Sequence, residues 1–335
     1  MKKELIKDNI CMYTLKNESI RLGVLNIGAS IRYLDVKDKD GKFHNVILGY
    51  NDIEKYKDNT SFFGTVVGRN ANRIKDATFS INGKRYTMDR NENGNNLHSG
   101  YSFFCNREYL LTASSEDFIT LTLFSNNLDQ GFPGNMTFSV TYRIDGPSLS
   151  ITYTAISDED TVFNPTNHSY FNLDSGNDVY GHTLQVSSSE VVEVDNELIP
   201  TGKLIDVTGT VFDLRNERML GDILAPLDPS LKQTKGIDHN FIFDENEYDE
   251  PVVRLCCHNT GICMDVFSDM PSVQIYTANY IDNVHGTDDA VYGIHSGICI
   301  ETGFVPDSIN SEVFKRPLLK KNEVCKYTTR FEFSH

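Results

Sequence analysis

Three side chains in this sequence could carry out acid–base chemistry if the fold brings them together. His98 lies in "NNLHSG" and His168 in "NPTNHSYFNL", and Glu301 follows the apolar run "GICI". The segment after His168 is apolar enough to lie inside the protein, and Glu301 is expected within a strand or at its end. A carboxylate whose pKa is raised by burial can accept a proton near neutral pH, and a protonated imidazole can donate one. A buried Glu301 facing a buried histidine would therefore form an acid–base pair.

A second group of polar residues could hold a ligand that is rich in hydroxyls. Its members are Asn72 and Arg73 in "GRNANRI", Asp238 in "GIDHNF" and Gln274 in "VQIYTANY". Together, such side chains can donate and accept several hydrogen bonds at once, which is how a sugar is recognised. Each one also has a structural explanation when taken alone, such as a salt bridge, an Asx turn or an exposed strand position. Neighbouring residues of a strand face opposite sides, so Asp238 and His239 cannot both face the ligand. We therefore expect His239 to be structural.

Strands must position these groups, because alternation of polar and apolar residues dominates the chain. We predict strands at 119–124, 137–144, 149–156, 183–194, 252–258, 262–268, 272–278 and 327–333, with partial alternation over 19–36. The link "DGPS" between the second and third of these predicts a hairpin. Helical patterns are short, and we expect one helix within 58–74 and another within 220–227. The acidic run at 244–251 is expected to be a solvated loop.

The fold class follows from these patterns, since no linker or fixed-period repeat divides the chain. We predict an all-β protein in which residues 1–335 form a single domain, a large antiparallel β-sandwich with few short helices. The formal net charge of −16, from 31 basic and 47 acidic residues, repels phosphate backbones and anionic membranes, so we predict no nucleic acid or membrane partner. A basic N-terminus without an apolar core after it is not a secretory signal. We therefore predict a cytoplasmic protein.

The seven cysteines are an odd number and lie mostly in strand-like runs. This pattern predicts reduced, mostly buried thiols. A more specific alternative is a zinc site built from Cys256, Cys257, His258 and Cys263. Its spacing fits no standard zinc pattern, so we predict that no metal is bound.

Several segments, taken in order, resemble known motifs of one family. They are "GRNANRI" (68–74), "NNLHSG" (95–100), "QGFPGN" (130–135), "NPTNHSYFNL" (164–173), "IPTGKLIDVTGTVFDLR" (199–215), "GIDHNF" (236–241) and "QIYTANY" (274–280). This set resembles the aldose 1-epimerase (galactose mutarotase) family over roughly residues 20–333. The ten-residue match around His168 is nearly the family signature as it stands, and the motif order is kept.

The resemblance implies a role for each candidate residue. Glu301 would be the general base that takes the proton from the anomeric hydroxyl, and His168 the general acid that protonates the ring oxygen. His98 would bind near the ring oxygen and assist that transfer. The substrate-binding residues, which hold the remaining hydroxyls, would be Asn72, Arg73, Asp238 and Gln274. The reaction is interconversion of α and β anomers, with a monosaccharide as substrate, no cofactor, and a monomer or homodimer as the expected assembly. In this interpretation the asparagines of "NPTNHSYFNL" fix the tautomer and orientation of the imidazole.

Some positions depart from the family pattern and leave the substrate open. Ser99 replaces a glycine, Tyr109 stands where Trp is common, Val211 replaces a frequent proline, and Gly303 stands where Gln is usual. Three other functions remain as alternatives. The first is a hexose-phosphate mutarotase, for which Arg69, Arg85 and Arg90 could supply cations. The others are a sugar-binding module without catalysis and a glycoside hydrolase or lyase that pairs two carboxylates.

Overall fold

The computed structural model describes residues 1–174, 176, 178–226, 228–244 and 250–335. Most of its regular structure is β-strand. In chain order the strands begin with β1 Lys2–Lys7, β2 Ile10–Lys16, β3 Ile20–Leu25, β4 Ile31–Lys37, β5 Phe43–Asn45, β6 Val66–Val67, β7 Arg73–Ile74, β8 Thr78–Ile81, β9 Lys84–Thr87, β10 Asn96–Leu97, β11 Leu110–Ser114, β12 Phe118–Ser125, β13 Met136–Asp145, β14 Ser148–Ser157 and β15 Thr161–Val162. They continue with β16 Thr166–Asn167, β17 Tyr170–Phe171, β18 His182–Val186, β19 Glu190–Val194, β20 Pro200–Asp206, β21 Arg218–Met219, β22 Asp238–Ile242, β23 Val253–Cys257, β24 Cys263–Ser268, β25 Ser272–Tyr276, β26 Val284–His285, β27 Val291–Tyr292, β28 Ile298–Gly303, β29 Leu318–Leu319 and β30 Val324–Ser334.

Helical structure is short in the part of the chain that the structure describes. It consists of the α-helix α1 Leu220–Leu224 and the 3₁₀ turns Ile53–Lys57, Lys75–Ala77, Phe104–Asn106, Asp129–Gly131, Pro229–Leu231, Thr287–Asp289 and Ser308–Asn310. Within these described residues, no helix is both long and apolar enough to cross a membrane.

Three antiparallel sheets form the body of the protein. The largest has nine strands in the order β11-β12-β13-β14-β30-β24-β23-β18-β21, the second six in the order β17-β28-β25-β22-β19-β20, and the third runs β1 to β5 in sequence. The main hydrophobic cluster joins residues from all three sheets, such as Leu22, Val140, Ile151, Phe241 and Ile300. The core therefore lies between sheets, and the predicted antiparallel β-sandwich is confirmed.

Most predicted strands are found close to their expected positions, and the β13–β14 hairpin pairs Asp145 with Ser148 across the predicted turn. The segment 183–194 is different, because it forms two strands that belong to different sheets: β18 in the nine-stranded sheet and β19 in the six-stranded one. The break is at Ser187–Ser189, where the Ser188 hydroxyl donates to the carbonyls of Glu190 and Ile242. These serines let the chain cross from one sheet to the other.

The two helix predictions have different outcomes. The helix expected within 220–227 is confirmed as α1, although residue 227 lies outside the described residues. The helix expected within 58–74 is wrong. Asn59, Phe62 and Asn72 all have positive φ there, and the Asn59 side chain bonds both backbone groups of Phe63, so the backbone turns instead of coiling. Residues 245–249 of the acidic run also lie outside the described residues, and its loop stays a prediction.

The prediction that all cysteines are reduced is wrong for one pair. Cys256 and Cys263 are directly opposite each other on β23 and β24, with 4.1 Å between their Cα atoms, and they form a disulfide. The adjacent Cys257 is buried in the core and remains a free thiol. The alternative of a zinc site is also excluded, because the disulfide uses two of its four sulfur and nitrogen ligands.

Candidate active site

Strand β28 carries the proposed base on the face of its sheet that points away from the main hydrophobic cluster. Side chains alternate between faces along a strand. Ile298 and Ile300 belong to the main hydrophobic cluster, so Cys299 and Glu301 lie on the opposite face. Glu301 is nevertheless only 7% exposed, since loops cover this face of the sheet.

Neighbouring strands add two of the proposed sugar ligands to the same face. Gln274 of β25 is directly opposite Glu301, and Asp238 of β22 is opposite Tyr276. Gln274 Nε2 donates to Asp238 Oδ1 over 2.7 Å. His239 points the other way and packs against Phe212, with ring centroids 4.5 Å apart, which agrees with the expectation that only one of Asp238 and His239 can face the site.

The backbone of the loop that leads into β6 holds His168 over this face. The His168 N–H donates to the Thr65 carbonyl, and the Gly64 N–H donates to the His168 carbonyl. The imidazole lies between two aromatic rings, with centroid distances of 5.6 Å to Phe62 and 5.1 Å to Tyr170. This packing fixes the ring, and His168 is 5% exposed.

The asparagines around His168 do not hold its imidazole, so that part of our interpretation is wrong. The amide of Asn167 donates to the Gly64 carbonyl and accepts from both the backbone N–H and the hydroxyl of Ser169. Asn164 accepts from the Phe304 N–H, and Asn172 donates to the Ser296 carbonyl. Buried amides at these positions satisfy loop backbone groups that have no strand partner.

His98 reaches the same site from the loop after β10. Its Nδ1 accepts a hydrogen bond of 3.2 Å from the Asn72 N–H, so Nε2 carries the proton of the neutral ring. Burial lowers the pKa of His98 well below its usual value, and nearby His168 and Arg73 lower it further. Neutral His98 can therefore offer a single N–H donor to a ligand.

All seven predicted site residues line one cavity of about 290 Å³. Its walls are formed by Thr60, Ser61, Phe62, Asn72, Arg73, Glu92, Leu97, His98, His168, Tyr170, Asp238, Gln274, Tyr276, Tyr280, Ile281 and Glu301. The volume is at the small end of the range for ligand sites, and aromatic walls with a few convergent polar groups are typical of such sites.

Glu301 and His168 meet in this cavity, with 3.6 Å between Oε1 and Nε2. Burial, together with the nearby charge of Asp238, raises the pKa of Glu301 to about 8, and the charge of Arg73 opposes the shift. Burial lowers the pKa of His168 to about 4. Between these values the pair holds one proton, which is located on Glu301 in the free protein. Such a separation of two pKa values by environment is the usual sign of an acid–base pair.

Arg73 is fixed at one side of the cavity by Glu92. The Arg73 Nε and Nη2 atoms donate to the two carboxylate oxygens of Glu92 over 2.6 and 2.7 Å. Burial disfavours the charge of Arg73, but this bond to Glu92 and the charge of Asp238 raise its pKa. The guanidinium is therefore held rigidly, and its position does not depend on a ligand.

Gln274 has a buried acceptor that no described residue satisfies. Its Nε2 is used by Asp238, while Oε1 is buried and has no hydrogen-bond partner in the described part of the chain. A buried, unpaired carbonyl costs free energy unless a ligand or water donates to it. This oxygen is suited to accept from a ligand hydroxyl.

Comparison with known proteins decides the family. A family model described as aldose 1-epimerase matches residues 12–332. The chain belongs to the aldose 1-epimerase family. It is 36% identical to galactose mutarotase of Mus musculus over 328 aligned residues. The alignment covers 96% of this chain and 93% of the mouse protein.

Solved structures agree with this assignment. An aldose epimerase homologue from C. elegans has 26% identity and a TM-score of 0.91, covering 97% of this chain and 99% of its own. Galactose 1-epimerase from Lactobacillus acidophilus NCFM has 28% identity and a TM-score of 0.87, covering 99% of this chain and 97% of its own. The resemblance inferred from the motifs is confirmed, and the chain is an enzyme, a carbohydrate epimerase with mutarotase activity.

Two departures from the family pattern have structural explanations. The Ser99 hydroxyl accepts from the Asn70 N–H and donates to the Asn70 carbonyl, and thereby supports the loop that carries Asn72 and Arg73. Gly303 does not line the cavity, and a Cβ there would lie 3.1 Å from Asn164 Oδ1. The side chain of Asn164 therefore occupies the space that a larger residue at position 303 would need.

Residues that the motif analysis did not single out also shape the aldose 1-epimerase site. Glu92 lies in the turn-like run "NENGNN", where a charged residue is normally solvated, so no sequence signal distinguishes it. Phe62 follows Ser61 in a segment for which we predicted a helix, and its positive φ of 58° places its ring against both histidines. The pair "FF" indicates burial but not contact with His98.

Three possible metal ligands lie close together in the described part of the chain. Among the described residues, donor atoms of His168, Cys299 and Glu301 lie within 4.8 Å of one another. The sulfur is next to Nδ1 and the carboxylate is next to Nε2. One ion cannot bind both nitrogens of the same ring, so this arrangement does not favour a three-ligand metal site.

Proposed function

We propose that this mutarotase acts on free hexoses such as D-galactose and D-glucose, with Glu301 as base and His168 as acid. The observation that carries the proposal is the 3.6 Å approach of Glu301 Oε1 to His168 Nε2 inside one small, polar cavity. A pyranose ring presents its anomeric hydroxyl and its ring oxygen next to each other. A base and an acid this close can reach both atoms.

The reaction proceeds by opening and closing the ring. Glu301 takes the proton of the C1 hydroxyl, the C1–O bond to the ring oxygen breaks, and His168 protonates that oxygen. The aldehyde rotates about the C1–C2 bond, and the two proton transfers then run in reverse on the other carbonyl face. One proton enters and leaves each residue, so the enzyme is unchanged at the end. His98, with its N–H donor near His168, assists at the ring oxygen.

Sugar binding prepares the pair for this chemistry. In the free protein the shared proton is on Glu301, because burial disfavours both charges. A bound anomeric hydroxyl donates to the Glu301 carboxylate, and the ring oxygen accepts from protonated His168. These two hydrogen bonds favour the charged form, Glu301 carboxylate with His168 imidazolium, that ring opening requires.

The remaining hydroxyls are held by the other polar residues of the cavity. Asp238 and the free Oε1 of Gln274 accept hydrogen bonds, while Arg73 and the Asn72 amide donate them. Each group is held by its neighbours before a ligand arrives, so little ordering is needed on binding.

Polarimetry on freshly dissolved α-D-galactose tests the function. We expect enzyme to accelerate the loss of optical rotation towards the same equilibrium value that the buffer alone reaches. The control is enzyme inactivated by heat, because buffers also catalyse mutarotation. Binding of galactose without faster loss of rotation would instead support the sugar-binding module.

The charge of the cavity favours a neutral sugar over a phosphorylated one. Glu92 and Asp238 are acidic, and Arg73, the one arginine among the described residues that line the cavity, is already neutralised by Glu92. Arg69, one of the three arginines that could have bound a phosphate, is fully buried and donates to the carbonyls of Pro133 and Gly134. Equilibrium binding of galactose and of hexose 6-phosphate should therefore favour galactose; tighter binding of the phosphate would support the phosphosugar alternative.

The pH dependence follows from the single proton on the pair. We expect kcat/KM to rise through about pH 4, because the Glu301–His168 pair then loses its second proton and can accept one from the sugar. We expect kcat/KM to fall through about pH 8, because the pair then loses its last proton and has none to donate. Polarimetric rates corrected for the buffer reaction measure this profile. An activity that still increases from pH 8 to pH 9 would contradict a shared proton.

Three further features belong to this proposal. Residues 1–335 form a single domain, and the assembly is a monomer or a homodimer. We place the enzyme in the cytoplasm, although disulfides such as Cys256–Cys263 are more usual in oxidising compartments. Alkylation of intact cells before lysis, followed by mass spectrometry of this pair, tests the compartment.

A further inference from the structure

The two nitrogens of the His168 imidazole have different neighbours. Nε2 faces Glu301, and Nδ1 lies 3.5 Å from the sulfur of Cys299. Cys299 is completely buried. A sulfur at this distance from a ring nitrogen can form a weak hydrogen bond, as donor or as acceptor.

The strand explains why these contacts occur together. Cys299 and Glu301 are two residues apart on β28, so both side chains project from the same face. Tyr170 is opposite Cys299 in the β17–β28 pair, and its ring packs against His168. One strand therefore presents the base to one edge of the imidazole and a thiol to the other.

The proton balance of the reaction decides which way this bond points. His168 gains and loses its proton at Nε2, the nitrogen that faces Glu301 and the sugar. When Nε2 carries no proton, a neutral ring must keep its proton on Nδ1. If the thiol donated to Nδ1 instead, the neutral ring would hold its proton on Nε2, and transfer of that proton would leave an imidazole anion. The sulfur must therefore be the acceptor.

We propose that Cys299 is a positioning residue whose sulfur accepts the Nδ1–H of His168 and keeps Nε2 available for proton exchange. The proposal rests on the proposed function, because it assigns the tautomer that His168 needs as an acid. A neutral thiol also suits this place better than a carboxylate would. A carboxylate would stabilise the imidazolium and oppose release of its proton, whereas a thiol orients the ring without adding charge.

The tautomer can be measured directly on the intact enzyme. With ¹⁵N-labelled histidine, we expect the two ring nitrogens of His168 at neutral pH to show a proton on Nδ1 and none on Nε2. Loss of the signals in His168→Asn assigns them. A proton on Nε2 in the wild-type enzyme would overturn the proposal. This measurement needs no activity, so it is independent of the sugar that the enzyme accepts.

Substitutions test the consequence for the reaction. Cys299→Ala removes the acceptor, and we expect kcat to fall about 3- to 10-fold with little change in KM, as for the loss of one hydrogen bond. Its ¹⁵N spectrum should show a mixture of both tautomers. Cys299→Ser keeps an acceptor and should restore the Nδ1–H tautomer and most of kcat.

The matched control is Cys257→Ala, the same change at a buried cysteine of the nine-stranded sheet. We expect wild-type kcat and an unchanged His168 spectrum in this variant. If Cys299→Ala lowers kcat while the tautomer stays the same, the cysteine serves packing only and the proposal is wrong. Should Cys299→Ala fail to fold, the wild-type and Cys299→Ser spectra still decide. An enzyme with the expected tautomer but without polarimetric activity would contradict the proposed function and not this arrangement.

Discussion

Glu301→Gln is expected to lower kcat for anomer interconversion by about 10²–10⁴-fold with little change in KM. Glutamine has the size of glutamate and can still hydrogen bond to the anomeric hydroxyl, but it cannot accept the proton. The interaction that is lost exists only in the transition state, so the rate falls and binding is largely kept. Polarimetric progress curves with α-D-galactose, corrected for the buffer reaction, measure the effect.

Stability distinguishes this loss of chemistry from unfolding. The pKa of Glu301 is about 8 in the folded protein against an ordinary value of 4.5. Between these values the folded state binds more protons than the unfolded state, so the contribution of Glu301 to the free energy of unfolding falls as pH rises from about 4.5 to about 8. Glu301→Gln has no carboxyl group that titrates at this position, so it does not lose stability in this way. Its free energy of unfolding relative to that of the wild type should therefore increase over that interval and level off above it.

The control for this variant is Glu193→Gln, a glutamate on β19 of the same sheet that accepts from Thr201 near the surface. We expect kcat to stay at the wild-type value in this variant. Wild-type activity in Glu301→Gln would remove the assignment of the base, even if the fold and the cavity were intact.

The strands could be predicted from the sequence because their signal is local. Alternation in β12, β13 and β14 is determined by one buried face, so each residue indicates its own side. The division of 183–194 between two sheets could not be predicted in this way. It depends on Ser188 finding the Ile242 carbonyl, a residue 54 positions away in sequence.

The same distinction holds for the site. The motifs indicated seven of the side chains that line the cavity, because each lies where a strand or turn would ordinarily need a different residue type. The partners of those side chains carried no such signal. In the sequence, Cys299 is one more apolar residue of "GICIE", and its position beside Nδ1 of His168 depends on the pairing of β28 with β17. The disulfide was missed for a related reason, since register alone places Cys256 opposite Cys263.

His168→Asn should also lower kcat by about 10²–10⁴-fold, because an amide cannot carry a proton to the ring oxygen. The smaller side chain leaves space between Phe62 and Tyr170, which packed against the imidazole. We therefore expect added imidazole to restore part of the rate. Polarimetry with increasing imidazole measures this, and the double variant Glu301→Gln/His168→Asn supplies the blank for catalysis by imidazole in solution.

His182→Asn is the control for loss of a buried histidine. His182 is also buried, with its pKa lowered to about 4 by burial, but its Nε2 accepts from the Leu173 N–H and faces no carboxylate of the cavity. We expect this variant to lose stability and keep kcat, since burial alone does not make an acid.

The double variant Glu301→Gln/His168→Asn tests whether the two residues act together. If Glu301 and His168 act on one shared proton, removing both costs little more than removing either one. If the fold-reduction in kcat of the double variant equals the product of the two single fold-reductions, the residues act independently. The mechanism in which they exchange one proton through the sugar would then be wrong.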